Sequence, residues 1–192
     1  MSRFYEVLDD VHVPGRWYLS EPVDRHGAPI DYMLTDGLPL DVEGPVRVRR
    51  RGGTAGGRPL DYCELDAVGA PVVHVRVASV LAELAPGDVQ LLPLEVEGQP
   101  DQFALVNVIR VVKCIDDQRS REVRYYGPDC EPVFRDRVGQ YRSVIGMRVD
   151  PAKVGDARLF RPWGWQVAIV VAEEIKLALE ELGTVGVKFQ EV

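Results

Sequence analysis

The sequence predicts an α+β fold with a mixed or largely antiparallel sheet and two main helices. Three observations point there. Only two stretches carry a helical repeat, against eight or more short strand candidates. Each helical stretch lies between two strand candidates, giving strand-helix-strand units at 72–96 and 165–192. The first 70 residues read throughout as short apolar runs broken by turns. The expected organisation is a β-rich N-terminal lobe over 1–70 and an α+β main domain over 71–192, or one continuous core.

In chain order, Arg3 to Leu8 and Arg16 to Leu19 carry aromatic and branched residues, and Val13-Pro14-Gly15 breaks the chain between them. Asp-rich and Gly-rich turns follow at Asp24 to Gly27, Asp36-Gly37 and Glu43-Gly44-Pro45. Val46 to Arg50 then alternates Val and Arg, as an exposed strand would. The glycine-rich stretch from Arg51 to Arg58 reads as a hairpin or flexible loop. Its glycines invite a phosphate-cradle reading, but the Walker spacing is missing and no Gly-Lys-Ser/Thr follows.

From Pro71 the pattern changes. Val72 to Val75 reads as a strand, and Val77, Val80, Leu81 and Leu84 then fall on one helical face. Pro86-Gly87 stops that helix, and Val89 to Val96 returns as a strand. Phe103 to Ile115 is almost continuously apolar, interrupted by Asn107, Arg110 and Lys113, and predicts a strand through the centre of a sheet. Asp116 to Ser120 turns the chain, Arg121 to Tyr126 alternates back, and Tyr141 to Val149 is a further strand candidate. Trp165 to Val171 predicts a strand, and Glu173 to Leu182 a helix with Ile175, Leu179 and Leu182 on one face. Glu173 and Glu174 favour its N-terminal dipole and Gly183 caps its end. Val185 to Val192 closes the chain as a strand.

Composition narrows the function classes. Of 192 residues, 46% are hydrophobic and 28% charged, a globular balance. The net charge of −7 argues against nucleic acid as the main partner, because phosphate binding needs a basic face. The excess is spread, with 12 acids against 8 bases in 1–70 and 18 against 15 in 71–192. No apolar run approaches the roughly 20 residues of a membrane helix, and the N-terminus carries no secretory signal pattern. The three cysteines (Cys63, Cys114, Cys130) are far apart, and only His12, His26 and His74 could join them, so the reading is reduced thiols in a cytoplasmic protein, with no metal and no cofactor.

The candidate catalytic groups are weak ones. Asp116 and Asp117 are adjacent, so on a strand they would point to opposite faces; a turn suits them better. His74 sits in an apolar context that favours packing over acid–base work, and Cys114 lies late in an apolar strand, as an inert buried thiol would. No nucleophile-elbow, zincin or dinucleotide motif occurs. The most unusual stretch is Phe160-Arg161-Pro162-Trp163-Gly164-Trp165. Both rings can pack a corner, or can form with Arg161 an exposed hot spot of the kind found at interface centres.

These residues also carry a resemblance. Phe4-Tyr5 with Pro14-Gly15-Arg16-Trp17, Asp88-Val89-Gln90, Leu105-Val106-Asn107, Val112-Lys113-Cys114-Ile115-Asp116-Asp117, Gly139-Gln140-Tyr141-Arg142, Asp150-Pro151-Ala152-Lys153-Val154-Gly155, the Phe160–Trp165 stretch and Gly186-Val187-Lys188-Phe189 follow one another along the chain. In this order they resemble immunity-protein family eleven of bacterial polymorphic toxin systems, in its myxobacterial form. The match is thinner over the first 70 residues. The resemblance implies a non-enzymatic protein that binds a cognate toxin effector in the producing cell and neutralises it. On that reading Asp116, Asp117, Arg161, Trp163 and Trp165 are the expected partner-binding residues. The alternative is a small enzyme or ligand-binding domain with a site assembled from distant residues. The oligomeric state is left open.

Overall fold

The strand Phe103–Val108 (β6) is buried at all six positions, and the rest of the architecture follows from how it is enclosed. A computed structural model describes residues 2–30, 34–52, 57–65 and 69–192. Two strands flank β6, both antiparallel to it: Ala70–His74 (β4) and Val89–Val96 (β5). The helix Val75–Leu84 (α1) connects them, so the first strand-helix-strand unit is split around β6. Val46–Val48 (β2) runs parallel beside β5, and Tyr62–Leu65 (β3) antiparallel beside β4, giving the order β2-β5-β6-β4-β3. Successive residues of β6 face opposite cores, Phe103 and Leu105 one way, Ala104, Val106 and Val108 the other. That is why the strand is apolar without alternation.

The second unit repeats this plan. Val170–Ala172 (β11), the helix Glu173–Glu181 (α2) and Val187–Glu191 (β12) enclose an antiparallel central strand, Phe4–Asp9 (β1), taken from the other end of the chain. Leu159–Pro162 (β10) pairs antiparallel with β11. Val111–Val112 (β7) pairs parallel with β10, completing the order β12-β1-β11-β10-β7. Both sheets therefore draw strands from before and after residue 70. A two-stranded hairpin, Glu122–Tyr125 (β8) and Tyr141–Ile145 (β9), stands apart from both.

The helices begin and end for local reasons. The His74 Nδ1 accepts the Arg76 N–H at 3.3 Å and caps α1, and the His74 ring meets Phe103 edge-on, 5.4 Å between centroids. Helix α2 has no side-chain cap but carries Glu173 and Glu174 in its first turn. Gly183, at φ +67°, turns its end, and the Thr184 N–H reaches back to the Leu179 carbonyl at 3.1 Å. The buried faces of both helices, Val77 and Leu81 of α1 with Ile175 and Leu179 of α2, join Tyr5, Val106 and Leu159 in one central cluster shared by both sheets. Truncating such a side chain to Ala costs about 2–5 kcal/mol.

Two outer clusters cover the remaining faces. Over the first sheet, Trp17, Leu19, Ile30 and Leu34 lie on Val46, Leu94, Phe103 and Leu105. Over the second, residues between Cys114 and Ala157 lie on Phe4, Phe160 and Val170.

The expected α+β class holds, and several boundaries move. The strand expected over 103–115 stops at Val108, because the chain crosses there from one sheet to the other: Ile109 donates to the Asp88 carbonyl and the Arg110 carbonyl accepts from Arg161. The Arg121–Tyr126 strand returns against β9 rather than against that run. The strand expected over 165–171 is confined to β11, since Trp165 and Ala168 make turn hydrogen bonds to Pro162 and Trp165. Arg16 to Leu19 forms only isolated pairings, with Arg58 and Arg50. Of the glycine-rich loop, 53–56 lies outside the described residues.

Candidate functional site

The site is built from the turn after β7, the β8–β9 hairpin and the loop after β10. Asp116 Oδ1 accepts the N–H groups of Gln118 and Arg119, both at 3.1 Å. Its carbonyl accepts Ser120 N–H at 2.9 Å and Ser120 Oγ–H at 2.7 Å. Ser120 Oγ in turn accepts Arg148 N–H at 3.0 Å. An Asp whose side chain satisfies the following N–H groups is a turn former; the Asp116 carboxylate is occupied by the backbone it folds.

Asp117 is exposed and points toward the hairpin. Its Oδ1 accepts the Tyr141 hydroxyl at 2.7 Å, and its Oδ2 the Tyr125 hydroxyl. The two rings lie 4.8 Å apart. The bond to Asp117 holds the Tyr125 phenol above its ordinary pKa. Burial first, then the bonds to Tyr125 and Asp117, raise that of Tyr141 further. Both therefore remain protonated donors at neutral pH, and they tie the hairpin to the turn.

The other side of Tyr141 meets the tryptophan loop. Gly164 has φ +77°, and a Cβ there would lie 3.2 Å from the Tyr141 ring, so the sequence between the two tryptophans needs glycine for both conformation and space. Trp163 donates its N–H to the Val112 carbonyl at 2.8 Å and leaves 37% of its surface exposed, with Lys113 Nζ 4.7 Å above the ring. Trp165 is half-buried against the outer cluster of Phe4, Cys114 and Phe160. One ring is thus outside and the other inside.

Arg161, expected among the partner contacts, is wholly buried. Its guanidinium donates to the Gln166 carbonyl at 2.5 Å and to the Gly69 carbonyl at 3.1 Å, and its Nε has no partner among the described residues. Burial brings its pKa down to about 10, against the pull of Tyr62 and Glu64, so it stays cationic at neutral pH. It shapes the 163–167 loop from beneath and cannot touch a partner while the fold is closed.

The fold thus brings Asp117, Trp163 and Trp165 together around Tyr141 and Gly164, while Asp116 and Arg161 serve the backbone. Sequence reasoning passed over Tyr125, Tyr126 and Tyr141. The signal was available in the adjacent Tyr125-Tyr126 pair, which sits where a short strand ends. Of eleven exposed large hydrophobic side chains among the described residues, six lie between 125 and 167: Tyr125, Val133, Val138, Ile145, Trp163 and Val167. A cleft of about 240 Å3 opens beside them, bordered by Asp36, Tyr126, Asp136, Tyr141 and Trp165.

Cys114 is fully buried, and burial pushes its thiol up to about 12, far from a thiolate nucleophile. Among the described residues, no group of three or more His, Cys, Asp or Glu side chains converges as a metal site would, and no helix is long and apolar enough to cross a membrane.

A family model described as "Immunity protein family (Imm11)" matches residues 6–192, nearly the whole chain. No curated protein matches it.

Proposed function

This chain belongs to the Imm11 immunity protein family, and from that premise we propose that it binds a cognate toxin effector and neutralises it by protein–protein contact in the cytoplasm of the producing cell. The contact face is the one formed by the β8–β9 hairpin, the Asp117 turn and the Trp163 loop. The observation that carries this assignment is the concentration of exposed apolar side chains there. A solvated protein gains nothing from leaving Trp163, Tyr125 and Val138 in water, whereas an interface centre is enriched in aromatic residues.

The hydrogen bonds from Tyr125 and Tyr141 to Asp117 hold the hairpin in place before any partner arrives, which lowers the ordering cost of binding. A standard interface would take about 800 Å2 of this surface. The net charge of −7 favours a basic toxin surface and speeds the encounter. A catalytic reading through Cys114 is disfavoured, since burial keeps that thiol protonated.

The test is capture of the product of the adjacent toxin-like reading frame by the purified chain, together with rescue of growth when both are expressed. Capture with rescue supports the assignment. A toxin domain that ignores the chain and kills equally in its presence refutes it.

A further inference from the structure

The cleft beside Trp165 has the wrong chemistry to be a packing defect. Aromatic rings stand among its otherwise largely polar walls: Tyr126, in ring contact with Phe134 at 5.2 Å, and Trp165, anchored in the outer cluster. Two carboxylates stand at its border, Asp36 from the loop before β2 and Asp136 from the 3-10 turn Pro132–Arg137. Both are exposed, and neither forms an ion pair or a side-chain hydrogen bond among the described residues. Arg137 also reaches the border, so the cleft itself carries one net negative charge.

The larger cleft beside β2, about 620 Å3, shows the contrast. It is bordered by arginines, but Arg25 pairs with Glu43 at 2.5 Å, Arg47 with Glu95 at 3.2 Å and Arg49 with Glu97 at 3.6 Å. Its charge is already answered within the molecule. That of the smaller cleft is not.

We propose that the Tyr126–Trp165 cleft receives a basic side chain of the toxin, an arginine best of all, stacked on the aromatic rings and paired with Asp36 and Asp136. A guanidinium is planar, weakly hydrated and able to bond carboxylates while lying on a ring; an acidic or aliphatic side chain satisfies neither the walls nor the border. The exposed Val167 also borders the cleft, so a side chain entering it would meet an apolar contact beside the charged ones. This assignment rests on the toxin-binding reading above and names the chemistry its partner must present.

The probe is N-acetyl-arginine amide, with N-acetyl-glutamate amide as its opposite, titrated into the full chain while the three tryptophan indole N–H resonances are followed by NMR. A Trp165→Phe variant identifies the Trp165 signal. The expected result is a saturable shift of the Trp165 resonance with the arginine amide alone, with Trp17 unmoved, and loss of that shift in the Asp36→Asn/Asp136→Asn double variant. A silent Trp165, an equal response to both amides, or a response that survives the double variant overturns the proposal. Because no toxin is present, these outcomes are independent of the capture experiment. Capture without a Trp165 response removes the cleft assignment alone, whereas a Trp165 response without capture removes the toxin as its occupant.

Discussion

The two strand-helix-strand units enclose their central strands in the same way, yet their outer covers differ. Over the first sheet the tryptophan is shut in: Trp17 is wholly buried, 5.2 Å from Phe103, and even its indole N–H lies without a partner among the described residues. Over the second, the inner rings are equally buried, with Phe160 at 0% exposure, but the cover opens outward through Trp165 to Trp163. A buried tryptophan serves the fold. An exposed one beside a glycine bend is, on the proposed reading, the one kept for a partner. On that reading the repeated unit is scaffold and its second cover is the part that serves binding.

The sharpest way to break this comparison is to truncate one buried ring under each cover. Trp17→Ala and Phe160→Ala should each lose about 3–5 kcal/mol in urea unfolding. A much smaller loss for Phe160 would mean that the second cover is loose throughout, not only at its rim.

Next in size is the clasp that holds α1 to β3. Asp61 accepts two hydrogen bonds from Arg76, at 2.9 and 2.6 Å, and the Val185 N–H at 2.9 Å. Burial raises its pKa, but these bonds prevail and hold it below the ordinary value. A depressed carboxylate stabilises the fold above its unfolded pKa and loses that contribution as pH falls through the folded one. Asp61→Asn should therefore cost about 1.5–3 kcal/mol at neutral pH and progressively less in acid. Glu64 carries the opposite sign: burial raises its pKa, so its ionisation opposes folding as pH rises. In Glu64→Gln that loss should vanish, giving a flatter stability profile just above the ordinary glutamate range.

Smaller still is Tyr141→Phe, which removes one hydrogen bond to Asp117. We expect a loss of about 0.5–1.5 kcal/mol and faster amide exchange confined to the β8–β9 hairpin. Exchange that quickens evenly across both sheets would show that the hairpin is not a separate unit. Comparable in size is Trp163→Ala, about 1 kcal/mol, since the ring is partly covered and lies under Lys113 but is not part of a core.

Much of the scaffold was legible in the sequence because its signals are local. Helical spacing at Val77, Val80, Leu81 and Leu84 marks α1, and the glutamates and Gly183 bound α2. What the sequence could not show is which strands pair: β1 enters the second sheet from the far end of the chain, and an apolar run such as 103–115 reads alike whether it stays in one sheet or crosses between two. At the site, the tryptophan motif stood out by composition, but the sides its members face depend on distant partners. Arg161 is buried with its guanidinium donating to the Gly69 carbonyl, 92 residues away. Asp117 gains its tyrosines only when β8 pairs with β9.

The central claim is that the cover carrying Trp163 binds and the one carrying Trp17 does not. It is tested most directly by isothermal titration of the toxin domain into the wild-type chain and Trp163→Ala, with unfolding midpoints measured on the same samples. The account predicts at least about a tenfold loss of affinity with both proteins fully folded at the titration temperature. Equal affinity for the two proteins would contradict it.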